Sequence, residues 1–266
     1  PPPPPQNPSF NDTATTEIYT LSLHDALPIS VRCLPAYSEQ FFDYCCTGDV
    51  DQVRDVIHEA FGADHISPEF LPRYDLAYWI KRLGYAESTR NCNFKCSFCS
   101  LTGVGLRYDP QSLDYLEDQM GAMGKRMIFF FNDNQLLGDG KDSFRQRIER
   151  VQQRRAAGQF KYWSGFVTDT FFWDEENIRL ARETGCLSVF VGVESFDDSM
   201  WLKSVNKKQN SRENQVDLIK RCVEGGIIFQ YGLVYDPTIQ TLEQMYHQLD
   251  LICDHPEIPA PNFIFM

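Results

Sequence analysis

Cys92-Asn93-Phe94-Lys95-Cys96-Ser97-Phe98-Cys99 sets three cysteines at C-x3-C-x2-C spacing, and the rest of the chain is read around it. Thiolates hold iron–sulfur clusters, and a cubane of four irons takes four of them. Three closely spaced cysteines with no fourth nearby leave one iron open to another ligand. Three plainer readings compete. Nine cysteines in 266 residues complete this spacing by chance only rarely. Spacing i, i+4, i+7 also marks one face of a helix, but Ser88, Thr89, Asn91, Asn93, Ser97 and Ser100 favour turns and caps over a helix interior. Structural zinc needs four closed ligands, and no second Cys/His pair at finger spacing follows. Ligation of a 4Fe-4S cluster by Cys92, Cys96 and Cys99 is the favoured reading.

Downstream the pattern alternates. Short apolar runs at Met127–Phe131, Tyr162–Val167, Leu187–Val191, Ile228–Val234 and Asn262–Phe265 read as buried parallel strands. A first strand is expected around Tyr85–Thr89, ahead of the cysteine loop. Polar, helix-period segments separate the runs at Ser112–Met123, Ser143–Ala157, Glu175–Thr184, Arg212–Glu224 and Thr241–Cys253. Gly124, Gly158, Gly185 and Gly225-Gly226 follow four of them, where a helix C-terminus prefers glycine. This alternation predicts an α/β fold built as a parallel barrel. Each run is followed by groups able to bind or react: Asn132-Asp133-Asn134, Thr168-Asp169, Glu194-Ser195 and Tyr235-Asp236. Parallel barrels build their sites from those strand ends.

Composition narrows the function classes. A formal net charge of -12 argues against nucleic-acid or anionic-membrane partners, which need basic surface. No apolar run approaches a membrane span. An odd number of cysteines, three in one short loop, reads as thiols of a reducing, cytoplasmic compartment. Cys33, Cys45, Cys46, Cys186, Cys222 and Cys253 read as core or incidental residues.

Thr89-Arg90-Asn91-Cys92 through Cys99 resembles the signature loop of the radical S-adenosylmethionine (SAM) superfamily, C-x3-C-x-aromatic-C, with Phe98 at the aromatic position. The commonest form is R-G-C-P; here Asn91 stands for Gly and Asn93 for Pro. Phe130-Phe131-Asn132-Asp133-Asn134 with Gly138-Asp139 resembles the D-D-N-x-x-G-D turn of cobalamin-domain members. Gly192-Val193-Glu194-Ser195 resembles their G-x-E-S strand, Asn206–Asn210 their N-K-x-Q-N segment, and Tyr231–Thr238 their G-F-D-x-D-T element, the last imperfectly. The resemblance, over roughly 71–266, implies a partial (β/α)6 barrel cut at the sixth strand. It further implies that three cysteines hold the cluster while SAM chelates the open iron. Phe98, Asp133, Asn134, Glu194, Ser195 and Asp236 are then the expected SAM-side residues, and a flavodoxin or ferredoxin the electron donor. Reductive cleavage of SAM to a 5′-deoxyadenosyl radical that abstracts hydrogen from an organic substrate is the implied activity. The alternatives are a cobalamin-dependent methyltransferase and a non-enzymatic electron-transfer protein. Plainer roles stay open: Glu194 as half of a buried ion pair with Lys207 or Arg182, Asp133 as a turn cap, and Lys207 and Lys208 as a solvated face. The aromatics Phe129–Phe131, Phe171, Phe172 and Trp173 read as core.

Upstream, residues 1–30 are expected to be a non-native or disordered leader. Pro1–Pro5 is low-complexity, Thr16–Ser30 resembles translated sequencing adapter, and His24 gets no role. Residues 31–75 are expected to be the mostly helical remnant and linker of a preceding domain, which the resemblance suggests bound cobalamin, and 76–266 the barrel. Phe41, Phe42 and the run from Val50 to Phe61 suggest helices, with Asp49 as an N-cap. His58 belongs to the amphipathic pattern.

Overall fold

The computed structural model describes residues 34–48, 50–62, 71–77, 79–105, 107–196 and 198–265. The leader 1–30, with His24, and the proposed cap Asp49 lie outside them. The chain divides into two compact units, Pro1–Phe70 and Leu71–Met266. In the first, a short helix spans Pro35–Ser38 and an amphipathic one spans Val50–Phe61, with His58 in its last turn. Phe41 and Phe42 fall past the end of the short helix and are exposed, which corrects the expectation that they are helical.

The second unit holds a six-stranded, all-parallel sheet: β1 Leu83–Ala86, β2 Ile128–Phe131, β3 Tyr162–Val167, β4 Cys186–Glu194, β5 Ile228–Tyr235 and β6 Asn262–Phe265. Each strand pairs with its successor in the sequence. That order is what a chain of β–helix–β crossovers of one hand produces. The longer helices are α1 Leu113–Met123, α2 Lys141–Ala156, α3 Glu175–Glu183, α4 Gln215–Glu224 and α5 Leu242–Asp254. The segments between the apolar runs are therefore helical, with ends shifted by a few residues. Ser112, Asp174, Asn214 and Thr241 cap α1, α3, α4 and α5 through their side chains. Gly124, Gly158, Gly185 and Gly226 take the positive φ that ends the preceding helices.

One strand differs from expectation. β1 ends at Ala86, before the predicted Tyr85–Thr89 run is complete, and Thr89–Arg90 instead pairs antiparallel with Asp109–Pro110. The chain turns at Ser88 because a buried carboxylate captures its backbone there, as described below.

The two faces of the sheet are packed differently. Phe129 and Phe131 of β2, Trp163 of β3, Val189 and Val191 of β4, and Phe229 and Tyr231 of β5 are buried against the apolar faces of the helices. The alternate positions carry Tyr85, Phe130, Phe166 and Phe190, which touch edge-on or tilted in a ladder across β1 to β4, with centroids 5.9, 5.3 and 5.4 Å apart. These four are only partly covered. A second small cluster, Trp201, Leu202, Val205 and Val234 with Phe98 against it, ties the cysteine loop to the far side of the sheet's C-terminal edge.

Candidate functional site

Each strand delivers its last residues to one edge of the sheet, and the cysteine loop is fastened across that edge. Asp133, just past β2, is completely buried. Its Oδ1 accepts from the backbone N–H groups of Ser88 (2.6 Å) and Thr89 (2.7 Å), and its Oδ2 from Ser88 Oγ (2.6 Å). Burial pushes its carboxyl up and the bonds from Ser88 and Thr89 pull it back. Both oxygens are thus turned onto the chain leading into the loop, so Asp133 is a clamp on that chain. Asn91 takes φ +60°, a conformation that Asn tolerates better than other residues with a side chain. It also donates to Arg107 O at 3.0 Å. That accounts for Asn where the resembled motif has Gly. Asn93, in the place of Pro, donates to Gly138 O at 2.9 Å. On the opposite side Ser97 N donates to Val205 O (3.0 Å) and Asn206 Nδ2 to Lys95 O (2.8 Å). The loop is sutured to the turn after β2 and to the segment after β4.

The three thiols share one short loop and one electrostatic neighbourhood. Burial pushes Cys96 up to about 11 and raises Cys92, and each of the three pairs among Cys92, Cys96 and Cys99 is close enough to interact electrostatically, with Lys207 opposing the shift. Phe94 N points at Cys92 Sγ, 3.5 Å away. All three are free cysteines. Among the described residues no three His, Cys, Asp or Glu side chains are arranged around a single ion. Three free thiols in one anchored loop are a donor set that fits the 4Fe-4S cluster of the proposed reading.

Beside the thiols, Glu194 and Lys207 form an ion pair, each about 6% exposed. Glu194 takes φ +65° at a register shift between β4 and β5. A bulge of this kind re-aims a side chain. Gly192 makes room for the pair: a Cβ there would lie 2.6 Å from Lys207 Nζ. Asn210 donates to the Gly192 and Val193 carbonyls (2.7 and 2.9 Å), and Gln215 bonds both Asn210 O and the buried Asp169. Burial raises the Asp169 carboxyl to about 6, Gln215 and Lys207 lowering it and Glu194 raising it.

The remaining candidates fall into place around this pair. Phe98 stacks on Trp201 (10° between planes, centroids 6.2 Å apart), with Lys207 Nζ 5.9 Å from its ring centre. Ser195 is buried and its Oγ accepts from Asp198 N at 3.2 Å. Asn134 is exposed at the turn after β2. Asp236 closes a local turn, Oδ1 accepting from Thr238 N (2.9 Å) and Oγ1 (2.6 Å). Arg182 reaches Gly226 O instead of Glu194. Lys207 corrects the expectation of a solvated face, whereas Lys208 is exposed as expected. The core assignment of the aromatics holds for Phe129, Phe131, Phe171 and Phe172, but Phe130 and Trp173 are only partly buried. Gln215 escaped the sequence reading, and Asn210 entered it only within the Asn206–Asn210 segment, with no role of its own. Nothing in the spacing of an amide residue betrays a partner on another strand.

The cysteine loop, the turn after β3 and the segment after β4 line an open cleft of about 610 Å³.

Residues 86–249 match the radical SAM superfamily. Over 189 residues the chain is 27% identical to bacteriochlorophyllide d C-8(2)-methyltransferase of Chlorobaculum tepidum, covering 67% of this chain and 39% of that protein. Among solved structures, the radical SAM methyltransferase TsrM of Kitasatospora setae, determined with tryptophan and a SAM analogue, superposes with a TM-score of 0.56 at 19% identity, over 73% of this chain and 40% of TsrM. The cobalamin-dependent SAM radical enzyme OxsB gives 0.51 at 17%, over 66% of this chain and 27% of OxsB. The likeness to these two structures concerns the fold, a partial α/β barrel. The chain spans about two fifths of the length of the curated relative it matches.

Proposed function

Because this chain belongs to the radical SAM superfamily, we propose that its sheet edge is the site of a radical SAM enzyme, with Cys92, Cys96 and Cys99 as cluster ligands. When bound, the 4Fe-4S cluster supplies the electron that cleaves SAM to a 5′-deoxyadenosyl radical, which abstracts hydrogen from an organic substrate. The chain's own residues do the positioning. Asp133 holds the chain entering the loop through Ser88 and Thr89, and Val205 and Asn206 hold its outer side. Glu194 and Lys207 present one negative and one positive group beside the thiols, matching the ammonium and carboxylate of an amino-acid end such as SAM's methionine. Phe98, backed by Trp201, gives an apolar plane for the adenine. Asn134, Ser195 and Asp236, the other residues expected on the SAM side, lie at the turns that follow β2, β4 and β5.

The observation that carries this reading is a loop of three thiols fastened across the C-terminal edge of a parallel sheet, beside a buried acid–base pair. Anaerobic reconstitution tests it. The protein should absorb near about 400 nm, as iron–sulfur centres do, and with dithionite and SAM should release 5′-deoxyadenosine. Cys96→Ala should abolish colour and product together. A coloured wild-type protein releasing no 5′-deoxyadenosine would instead be an electron carrier.

A second reading is methyl transfer with cobalamin. It is favoured by the relative's name as a methyltransferase and by the cobalamin dependence of OxsB. Adding methylcobalamin and testing for methyl transfer from labelled SAM distinguishes it from hydrogen abstraction alone. In either reading a low-potential donor of the flavodoxin or ferredoxin type reduces the cluster, and a small organic molecule is the substrate. A cytoplasmic location fits such oxygen-sensitive chemistry; no helix among the described residues is long and apolar enough to cross a membrane.

A further inference from the structure

The 610 Å³ cleft beside the cysteine loop has a charge that the rest of the chain does not. Its wall includes Phe94 and Lys95 from the loop, Trp173 after β3, and Lys208, Gln209 and Arg212 after β4. The chain carries 37 acidic residues against 25 lysines and arginines, yet the lining of this cleft contains three cations and no carboxylate. Lys95, Lys208 and Arg212 make no ion pair among the described residues. Surface lysines and arginines in an acidic protein ordinarily find acids nearby; three exposed ones that line one open cleft without an acid leave a local positive potential there.

The arrangement is also held in place. The Arg212 guanidinium lies 4.0 Å from the centre of the Trp173 ring, a stack that fixes its direction while leaving its N–H fork to bind elsewhere. Two more donors belong to wall residues, Trp173 Nε1 and Gln209 Nε2. Both are buried, and neither has an acceptor in the structure. Those two donors lie behind the wall surface, so the cations set the preference: three of them with no carboxylate among the lining residues favour an anion. The volume suits a small molecule.

We infer that this cleft binds the anionic end, a carboxylate or a phosphate, of a small organic substrate. Its role as the substrate end rests on the radical SAM reading above, since the cysteine loop forms one wall; the anion binding itself does not.

Calorimetry on the wild-type chain tests it with three probes of one shape: naphthalene-2-carboxylate, 2-naphthyl phosphate and the neutral naphthalene-2-carboxamide. At least one anion should bind about tenfold or more tightly than the amide, and the margin should shrink with added salt. Whichever anion binds tighter identifies the group. In the double variant Lys208→Gln/Arg212→Gln the preference should fall to about twofold or less. Equal binding of amide and anions by the wild type would overturn the inference, as would a preference that survives in the double variant. An unchanged preference accompanied by slower reduction of the cluster by flavodoxin would reassign the cations to docking an acidic electron donor. The two readings fail separately. Anion preference in a protein that forms no 5′-deoxyadenosine keeps the cleft and removes the radical reading; 5′-deoxyadenosine without anion preference removes only the cleft.

Discussion

The two faces of the parallel sheet are made of the same kinds of residue and end in different states. On the helix side Phe129, Phe131, Trp163, Phe229 and Tyr231 are fully buried, and Trp163 Nε1 finds Thr184 Oγ1 at 3.2 Å. On the other side Tyr85, Phe130, Phe166 and Phe190 form a ladder that nothing in the described residues fully covers. Where this second face reaches the C-terminal edge it stops being apolar and becomes the Glu194–Lys207 pair, Asp169 and the cysteine loop. One face stabilises the molecule through packing; the other keeps space and charge available. Strands apolar on both faces read as unbroken runs, so the difference lies in what packs against each face.

Four measurements would break or sharpen that contrast. Trp163→Ala should cost about 3–5 kcal/mol in urea unfolding, the range for an aromatic ring lost from a close-packed core; a cost near about 1 kcal/mol would mean the helix side is not the stabilising one. Lys207→Met should cost about 3 kcal/mol, because Glu194 is left as a buried charge without its partner. Glu194→Gln in the same chain should recover most of that loss, and a double variant as unstable as the single one would show that the pair does not carry the edge's electrostatics.

Asp169 gives a pH signature. Burial raises its carboxyl from 3.8 to about 6. Between those values the folded chain holds a proton that the unfolded chain has released, so stability should fall as pH rises through that window and stay reduced above it. Asp169→Asn removes the penalty. A shift of about two units corresponds to roughly 2–3 kcal/mol gained by the variant at pH 8 and little at pH 4. An equal gain at both would assign the effect to packing. Phe190→Ala should be the mildest, about 1 kcal/mol, because its ring is already partly in water. A loss as large as that of Trp163→Ala would mean that the two faces are equivalent.

Much of this architecture was legible in the chain. The alternation of apolar runs and polar helical segments located five strands and five helices to within a few residues, because burial on both faces and a 3.6-residue period leave independent marks. The cysteine spacing located the loop, since few other uses of three thiols tolerate such turn-forming neighbours. Less was readable at the site. Asp133 is a clamp on Ser88 and Thr89, some 45 residues back along the chain. Lys207, which has the composition of a solvated face, is sealed against Glu194.

The residues alone therefore determined the class of fold and the place of the cysteine loop, both of which are written in local period and spacing. Which acid meets which base, and which side of the sheet stays open, depended on the register shift at Glu194 and on strands brought together from distant parts of the chain. A pairing across such distances leaves no local pattern, because its energy exists only once the fold has brought the partners out of water.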